Sequence, residues 1–167
     1  MTYTELQKKI THLETELTKV KEIAEAMKKR VDGGGVFQPE DGEEYWFISD
    51  AGEPYKSQWI NHRFDKNRNA IGNCFPTEQS LEDAVRVLKL IQKARESQDG
   101  FVANWENWMQ NKYVLYFNTE EKELRITNHI SIDQAPIFGY WEDESACEQF
   151  IDENHDDLVW FFTEYRR

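Results

Sequence analysis

Apolar residues at Tyr3, Leu6, Ile10, Leu13, Leu17, Val20, Ala24, Met27 and Val31 are spaced alternately three and four apart through the first four heptads of the chain. That spacing returns every apolar side chain to one narrow stripe of a helix, which is the seam of a coiled coil. No other feature constrains the fold as much, because a helix with such a stripe has to cover it with a partner helix or with its own domain. Tyr3, Ile10, Leu17, Ala24 and Val31 take the a positions, and Leu6, Leu13, Val20 and Met27 the d positions. In a parallel pair, Lys9 then faces Glu14 and Glu16 faces Lys21, so both flanking contacts join opposite charges. Each contributes about 0.3 to 0.5 kcal/mol, enough to bias register while the seam drives association. A stripe this narrow suits a partner helix better than a globular surface. The expectation is a coiled-coil helix over 1–32 that makes the protein a homo-oligomer through residues 3–31. Ala24 and Met27 weaken the last full heptad, which leaves the oligomer number open. Thr2 and Glu5 have the spacing of a capping box, and Asp32 with Gly33, Gly34 and Gly35 ends the helix. Residues 33–44 read as a flexible linker.

Beyond the linker the composition changes. A chain of 167 residues has room for one ordinary domain behind the helix and excludes two full catalytic domains. Apolar residues at 39% and aromatics at 14% exclude a disordered protein. The net charge is -12, and it is unevenly placed: residues 1–31 carry seven basic and five acidic groups, which leaves -14 on the rest. So acidic a body repels a phosphate backbone, and direct nucleic-acid binding is not expected. No run reaches the roughly 18 apolar residues of a membrane span, and the polar N-terminus does not read as a signal peptide. Cys74 and Cys147 form no Cys-x-x-Cys pair, so neither a disulfide framework nor a zinc ribbon is supported.

The domain at 45–167 reads as an α+β fold written twice. Tyr45–Ile48, a turn at Asp50–Gly52 and Tyr55–Ile60 predict a first hairpin. Thr77 then caps a helix whose apolar face is Leu81, Ala84, Val85, Leu88, Ile91 and Ala94 and which ends near Gly100. After a segment with Trp105 and Trp108, Tyr113–Phe117, a turn at Asn118–Lys122 and Leu124–Ile132 predict a second hairpin. An acidic helix follows from near Asp143, with Ala146, Phe150 and Ile151 as core contacts. Two hairpin-helix units result, each an antiparallel sheet that needs a helix on one face.

Trp59, Asp65, Arg68, the run Gly72, Asn73, Cys74, Phe75, then Thr77 and the Ala84 to Lys89 stretch resemble a recurrent segment of small bacteriophage and prophage proteins. Tyr113–Phe117 and Pro136, Ile137, Phe138 are similar to its second half, so the likeness spans 45–165. At Gln79, Ser80 and Leu81 the chain departs from the acidic residues and Ala found there in the family. The resemblance implies phage origin and the cytoplasm of an infected bacterial host. It also implies a role like that of small acidic phage proteins that block host defence, including nucleic-acid-handling systems such as CRISPR.

Catalytic signatures are missing from the sequence. There is no Gly-x-Ser-x-Gly elbow and no recognisable cysteine-nucleophile signature, and the glycine triplet lacks the Lys and Ser or Thr of a phosphate loop. His155 with Asp152, Asp156 and Asp157 has acceptable ligand types, but a solvated acidic face explains the same letters, so no metal or cofactor is expected. Two features carry the functional reading. Trp59, Arg63, Arg68 and Asn73 lie in a segment with three strong cations and one acid, suited to an anionic, nucleotide-like ligand; an ordered loop with Arg68 paired to Asp65 is the alternative. Glu142, Asp143, Glu144, Glu148, Asp152, Glu153, Asp156 and Asp157 place eight acids and no Lys or Arg between 141 and 157. Their repulsion is relieved by a basic surface on a partner, or they form a solubilising helix face. The expected function is therefore non-enzymatic: an inhibitor docking its acidic surface on a basic host protein, with a ligand-sequestering protein or a virion assembly protein as alternatives. Light scattering at micromolar concentration should return a mass above that of one chain; a lone molecule would remove the seam's role.

Overall fold

The computed structural model describes residues 37–128 and 136–165, together with Gln7, Lys9, Ile10, Leu13, Leu17 and Lys21. It is an α+β protein whose elements run β1 (Glu44–Ile48), β2 (Pro54–Gln58), α1 (Arg63–Ala70), α2 (Glu78–Ser97), β3 (Tyr113–Asn118), β4 (Glu123–Asn128) and α3 (Glu144–Trp160). A π-helical turn, Phe161–Tyr165, continues α3. The chain divides into two compact units, Met1–Leu81 and Glu82–Arg167, and α2 straddles the division. Of the expected seam, Leu6, Val20, Ala24 and Met27 lie outside the described residues. Ile10, Leu13 and Leu17 are helical, and their side chains are 47%, 56% and 54% exposed.

In the first unit, β1 and β2 pair antiparallel from Glu44 opposite Gln58 to Ile48 opposite Pro54. Gly52 supplies the left-handed residue of the turn, with φ +79. The core is small: Tyr45, Trp59 and Cys74 are buried, with Phe37 and Phe47 packed against them. The stretch expected to be a flexible linker is fastened where it is described. Pro39 is buried, Gly42 N–H donates to the Trp59 carbonyl at 2.8 Å, and Trp59 N–H donates to that of Glu43 at 2.8 Å. Two additional main-chain rungs thus extend the hairpin beyond its strands.

Between this hairpin and α2 lies a helix the apolar pattern does not announce. α1 contains Arg63, Lys66, Asn67, Arg68 and Asn69 and has almost no apolar face. Its N-terminus is held by a reciprocal cap in which His62 Nδ1 accepts from the Phe64 N–H and Asp65 accepts from the His62 N–H. Asp at the third helical position does the work usually given to Glu.

The second unit holds the larger core. α2 contributes Val87, Leu90 and Ala94, β3 contributes Leu115, and Phe138, Trp141, Cys147, Phe150, Leu158 and Phe161 complete it. The expected α2 face is rotated in part: Leu81 and Ala94 are buried, but Leu88 is 57% exposed and Val87 and Leu90 take the interior. Adjacent apolar pairs at 87/88 and 90/91 leave the stripe ambiguous in sequence, and packing selects one edge of it. β3 and β4 pair antiparallel from Tyr113 opposite Asn128 to Asn118 opposite Glu123. α3 packs on both strands.

The two hairpins share one device. In each, the first strand also pairs antiparallel with a single residue three positions before the following helix: Trp46 with Phe75, and Tyr113 with Trp141. Both bridges are closed by two main-chain hydrogen bonds of 2.8 and 2.9 Å. A left-handed glycine precedes each bridge, Gly72 and Gly139. Gly139, at φ +80, also has Gln98 against it, so a Cβ there would lie 2.7 Å from Gln98 Nε2. That amide donates to the Phe138 carbonyl at 2.5 Å, and moving it aside breaks the bond.

Gly52→Ala should therefore cost about 1 to 2 kcal/mol, the strain of a left-handed alanine. Gly139→Ala should cost about 1 kcal/mol more, the net worth of one hydrogen bond. In urea denaturation, Gly139→Ala made in a Gln98→Ala background should cost only the strain, because the hydrogen bond is already absent there; full additivity would separate the glycine from Gln98.

Candidate functional site

The strand β2 delivers Trp59 into the first core, where it is 7% exposed and meets Tyr45 edge-on at 6.0 Å. Beyond it, the α1 cap brings Asp65 beneath the β1 strand. Asp65 is 4% exposed and accepts from the Tyr45 hydroxyl at 2.7 Å, the His62 N–H at 3.0 Å and the Ile60 N–H at 3.3 Å. Arg68, one turn along α1, donates to the Tyr45 oxygen at 2.9 Å, lies 4.0 Å from Asp65 Oδ1 and stacks its guanidinium 3.5 Å over the Phe47 ring. Asn73 reaches back to β1, accepting from the Ile48 N–H at 2.7 Å and donating to the Ile48 carbonyl at 2.8 Å. Of the four residues expected to hold a nucleotide-like ligand, Trp59, Arg68 and Asn73 thus engage the fold itself. Arg63 alone is exposed, 5.5 Å from the Phe64 ring. Burial opposes ionisation of Asp65, yet the Tyr45 hydroxyl, the two amides and the Arg68 charge outweigh it and hold the carboxyl below its ordinary value. Burial raises the Tyr45 phenol.

The acidic residues of 142–157 divide by the helix geometry of α3. Asp143 is the N-cap and accepts from the Ser145 N–H and hydroxyl. Asp157 takes both the Nε and Nη2 of Arg86, at 2.8 and 2.6 Å, and the guanidinium also lies 3.9 Å over the Trp160 ring. Glu153 accepts from Gln149 at 2.7 Å. Among the described residues, Asp156 has an ion-pair contact with His155 alone, at 3.3 Å. Glu142 is exposed. Glu144, Glu148 and Asp152 are exposed too, and among the described residues none of the three has a cation within ion-pair distance. They sit four residues apart, so they form one ridge on the same side of the helix.

That ridge borders a groove of about 440 Å³ whose other wall is β4, lined by Leu124, Arg125, Ile126 and Ile151 with the three carboxylates. Arg125 is the one cation of this lining, and it is turned to Glu121 and, at 3.5 Å, to Glu123. The apolar floor is not legible in the sequence, where Leu124 and Ile126 belong only to the expected strand Leu124–Ile132. A second, amphoteric groove of about 400 Å³ lies between α2 and α3 and includes Lys93, Glu96 and Glu153. There Asn154, the one non-helical residue inside α3, donates to the Phe150 carbonyl at 3.0 Å and accepts from Lys93 Nζ at 2.8 Å.

Two further groups carry chemistry in principle. Burial raises the Cys74 thiol to about 11 and the Cys147 thiol to about 12, the latter with help from Glu148 and Glu144, so neither supplies a thiolate at neutral pH. Lys112 is fully buried; its Nζ donates to the Asn107 and Gln110 carbonyls at 3.1 and 2.9 Å and lies 5.1 Å over the Trp105 ring. It pins the loop that exposes Trp108 and Met109. Among the described residues no three His, Cys, Asp or Glu are placed to hold a metal ion, and no described helix is long and apolar enough to cross a membrane. No protein-family model, curated protein or solved structure matches the chain.

The Asp65 network sets a pH dependence. A carboxyl whose value is lowered by folding stabilises the fold fully above its ordinary value of 3.8 and loses that contribution as pH falls through the lower, folded value. Asp65→Asn should lower stability at neutral pH by about 2 kcal/mol, since a donor then faces the Ile60 and His62 amides. The difference from the unaltered protein in urea denaturation should shrink as the pH falls below 3.8; a gap that is constant with pH would refute the ionised role.

Proposed function

We propose that this chain is a non-enzymatic binding protein that docks the acidic face of α3 on a basic surface of another protein. The observation that carries the reading is the ridge of Glu144, Glu148 and Asp152, exposed and without a cation partner among the described residues. Like charges four apart on a helix cost roughly 0.2 to 0.5 kcal/mol per pair. Four cationic side chains of the same unit are directed elsewhere: Arg86 to Asp157, Arg125 to Glu121, Lys93 to Asn154 and Lys112 into the interior. A ridge left uncompensated in this way is relieved by a partner of opposite sign, which also speeds encounter.

The partner in this reading is a host protein with a basic surface, of the kind that handles nucleic acid. The protein acts as a phage-encoded inhibitor of defence, in keeping with the resemblance of its 45–165 segment to small phage proteins, and works in the host cytoplasm. Self-association through 3–31 multiplies each weak contact, so avidity exceeds the affinity of one ridge. The exposed Ile10, Leu13 and Leu17 side chains support this part.

Affinity capture from bacterial lysate tests the reading. A basic protein should be recovered at low salt and lost as salt rises. Glu144→Lys, Glu148→Lys and Asp152→Lys together should abolish recovery, whereas Glu53→Lys, a charge reversal on the first unit, should leave it unchanged. Recovery that survives the triple reversal would exclude α3 as the docking face. Tight, Arg68-dependent binding of a nucleotide in calorimetry would replace this reading with ligand sequestration.

A further inference from the structure

The same groove says what form the partner takes. β4 is an edge strand: its sheet has the order β3–β4, and among the described residues β4 makes no main-chain hydrogen bond outside that pairing. An edge strand leaves alternate N–H and C=O groups open to another chain. Beside this edge lies the apolar floor of Leu124, Ile126 and Ile151, and above the floor stands the ridge of Glu144, Glu148 and Asp152.

The spacings of the two walls match. Carboxylates four residues apart on α3 repeat every ~6 Å along the helix. Side chains on one face of an extended strand repeat every ~6.7 Å. A strand laid against β4 turns the side chains of its helix-facing side into the groove that the three carboxylates line. If those side chains are Lys or Arg, their aliphatic stems cover Leu124, Ile126 and Ile151 while the charged ends reach the ridge. Apolar floor and acidic rim are then satisfied by one residue type. A basic helix would match the ridge as well, but it would leave the β4 edge open.

We infer that the groove between α3 and β4 takes an extended basic segment of a partner protein, with Lys or Arg at alternate positions, which adds to β4 as a further antiparallel or parallel strand. The inference rests on the acidic-face reading and adds the main-chain pairing to it.

The probe is a short synthetic peptide alternating lysine and threonine, titrated into the full-length protein at low salt and followed by amide NMR shifts. Shifts are expected at Leu124–Asn128 and along Glu144–Asp152. Methylating the peptide nitrogens that face β4 should weaken binding roughly tenfold or more, since it removes the strand pairing and keeps the charge. The same residues rearranged into separate lysine and threonine blocks should also bind less well. Glu148→Lys with Asp152→Lys should abolish binding in a protein whose circular dichroism and melting are unchanged. Equal binding of the methylated peptide, or a helical bound peptide, would overturn strand addition and leave the acidic-face reading standing. Binding that survives both charge reversals would overturn the two together. Shifts at β4 that follow protein concentration rather than peptide would assign the groove to a second copy of this chain and likewise overturn the inference.

Discussion

Two hydrogen bonds made twice organise this molecule. A two-stranded hairpin is marginal by itself in water, because one pairing buries too little and leaves both edges open. Here the first strand of each hairpin gains one more antiparallel residue pair, Trp46 with Phe75 and Tyr113 with Trp141. Each pair stops the chain just before a helix, so it fixes where α2 and α3 begin as well as where the sheet ends. The aromatic residues of the bridges are the ones with most to gain: Trp141 is fully buried and also donates its indole N–H to Ser97. Main-chain pairing at these points converts two weak hairpins into frames for helices.

The surface of the second unit follows from what the frame leaves over. α3 turns Cys147, Phe150, Asn154 and Leu158 inward. The acids between them are then sorted by angle around the helix. Those that point toward α2 or the helix start are used: Asp157 by Arg86, Asp143 by the cap. Those that point toward β4 meet an apolar strand and an arginine already held by its neighbours. Arg125, the cation on that side, is turned to Glu121 and Glu123, so among the described residues the ridge of Glu144, Glu148 and Asp152 keeps its charge uncompensated.

Polar residues in the first unit show the opposite economy. Asp65, Tyr45, Arg68 and Asn73 direct their hydrogen bonds to one another and to the β1 and α1 backbone. In sequence, a tryptophan, two arginines and an asparagine close together look like a ligand site. The same letters build a helix with no apolar face, held by a buried carboxylate and a stacked guanidinium. Composition alone does not separate these outcomes, because an arginine recognises an internal carboxylate by the same geometry as an external one.

Periodicity and turn chemistry, read along the chain, determine the element types: both hairpins, the cap at Thr77, a helix start near Asp143 and the paired hairpin-then-helix order follow from local patterns. Local patterns act through neighbouring residues, and a linear reading therefore sees them. Tertiary structure decided which edge of the α2 stripe is buried, that α1 exists, and which acids of α3 stand free. Each of these depends on a residue distant in the chain: on α3 and β3 for Val87 and Leu90, on Tyr45 for Asp65, on Arg86 for Asp157. The groove beside β4 belongs to the same class, because it exists only where a strand is brought alongside the ridge on α3.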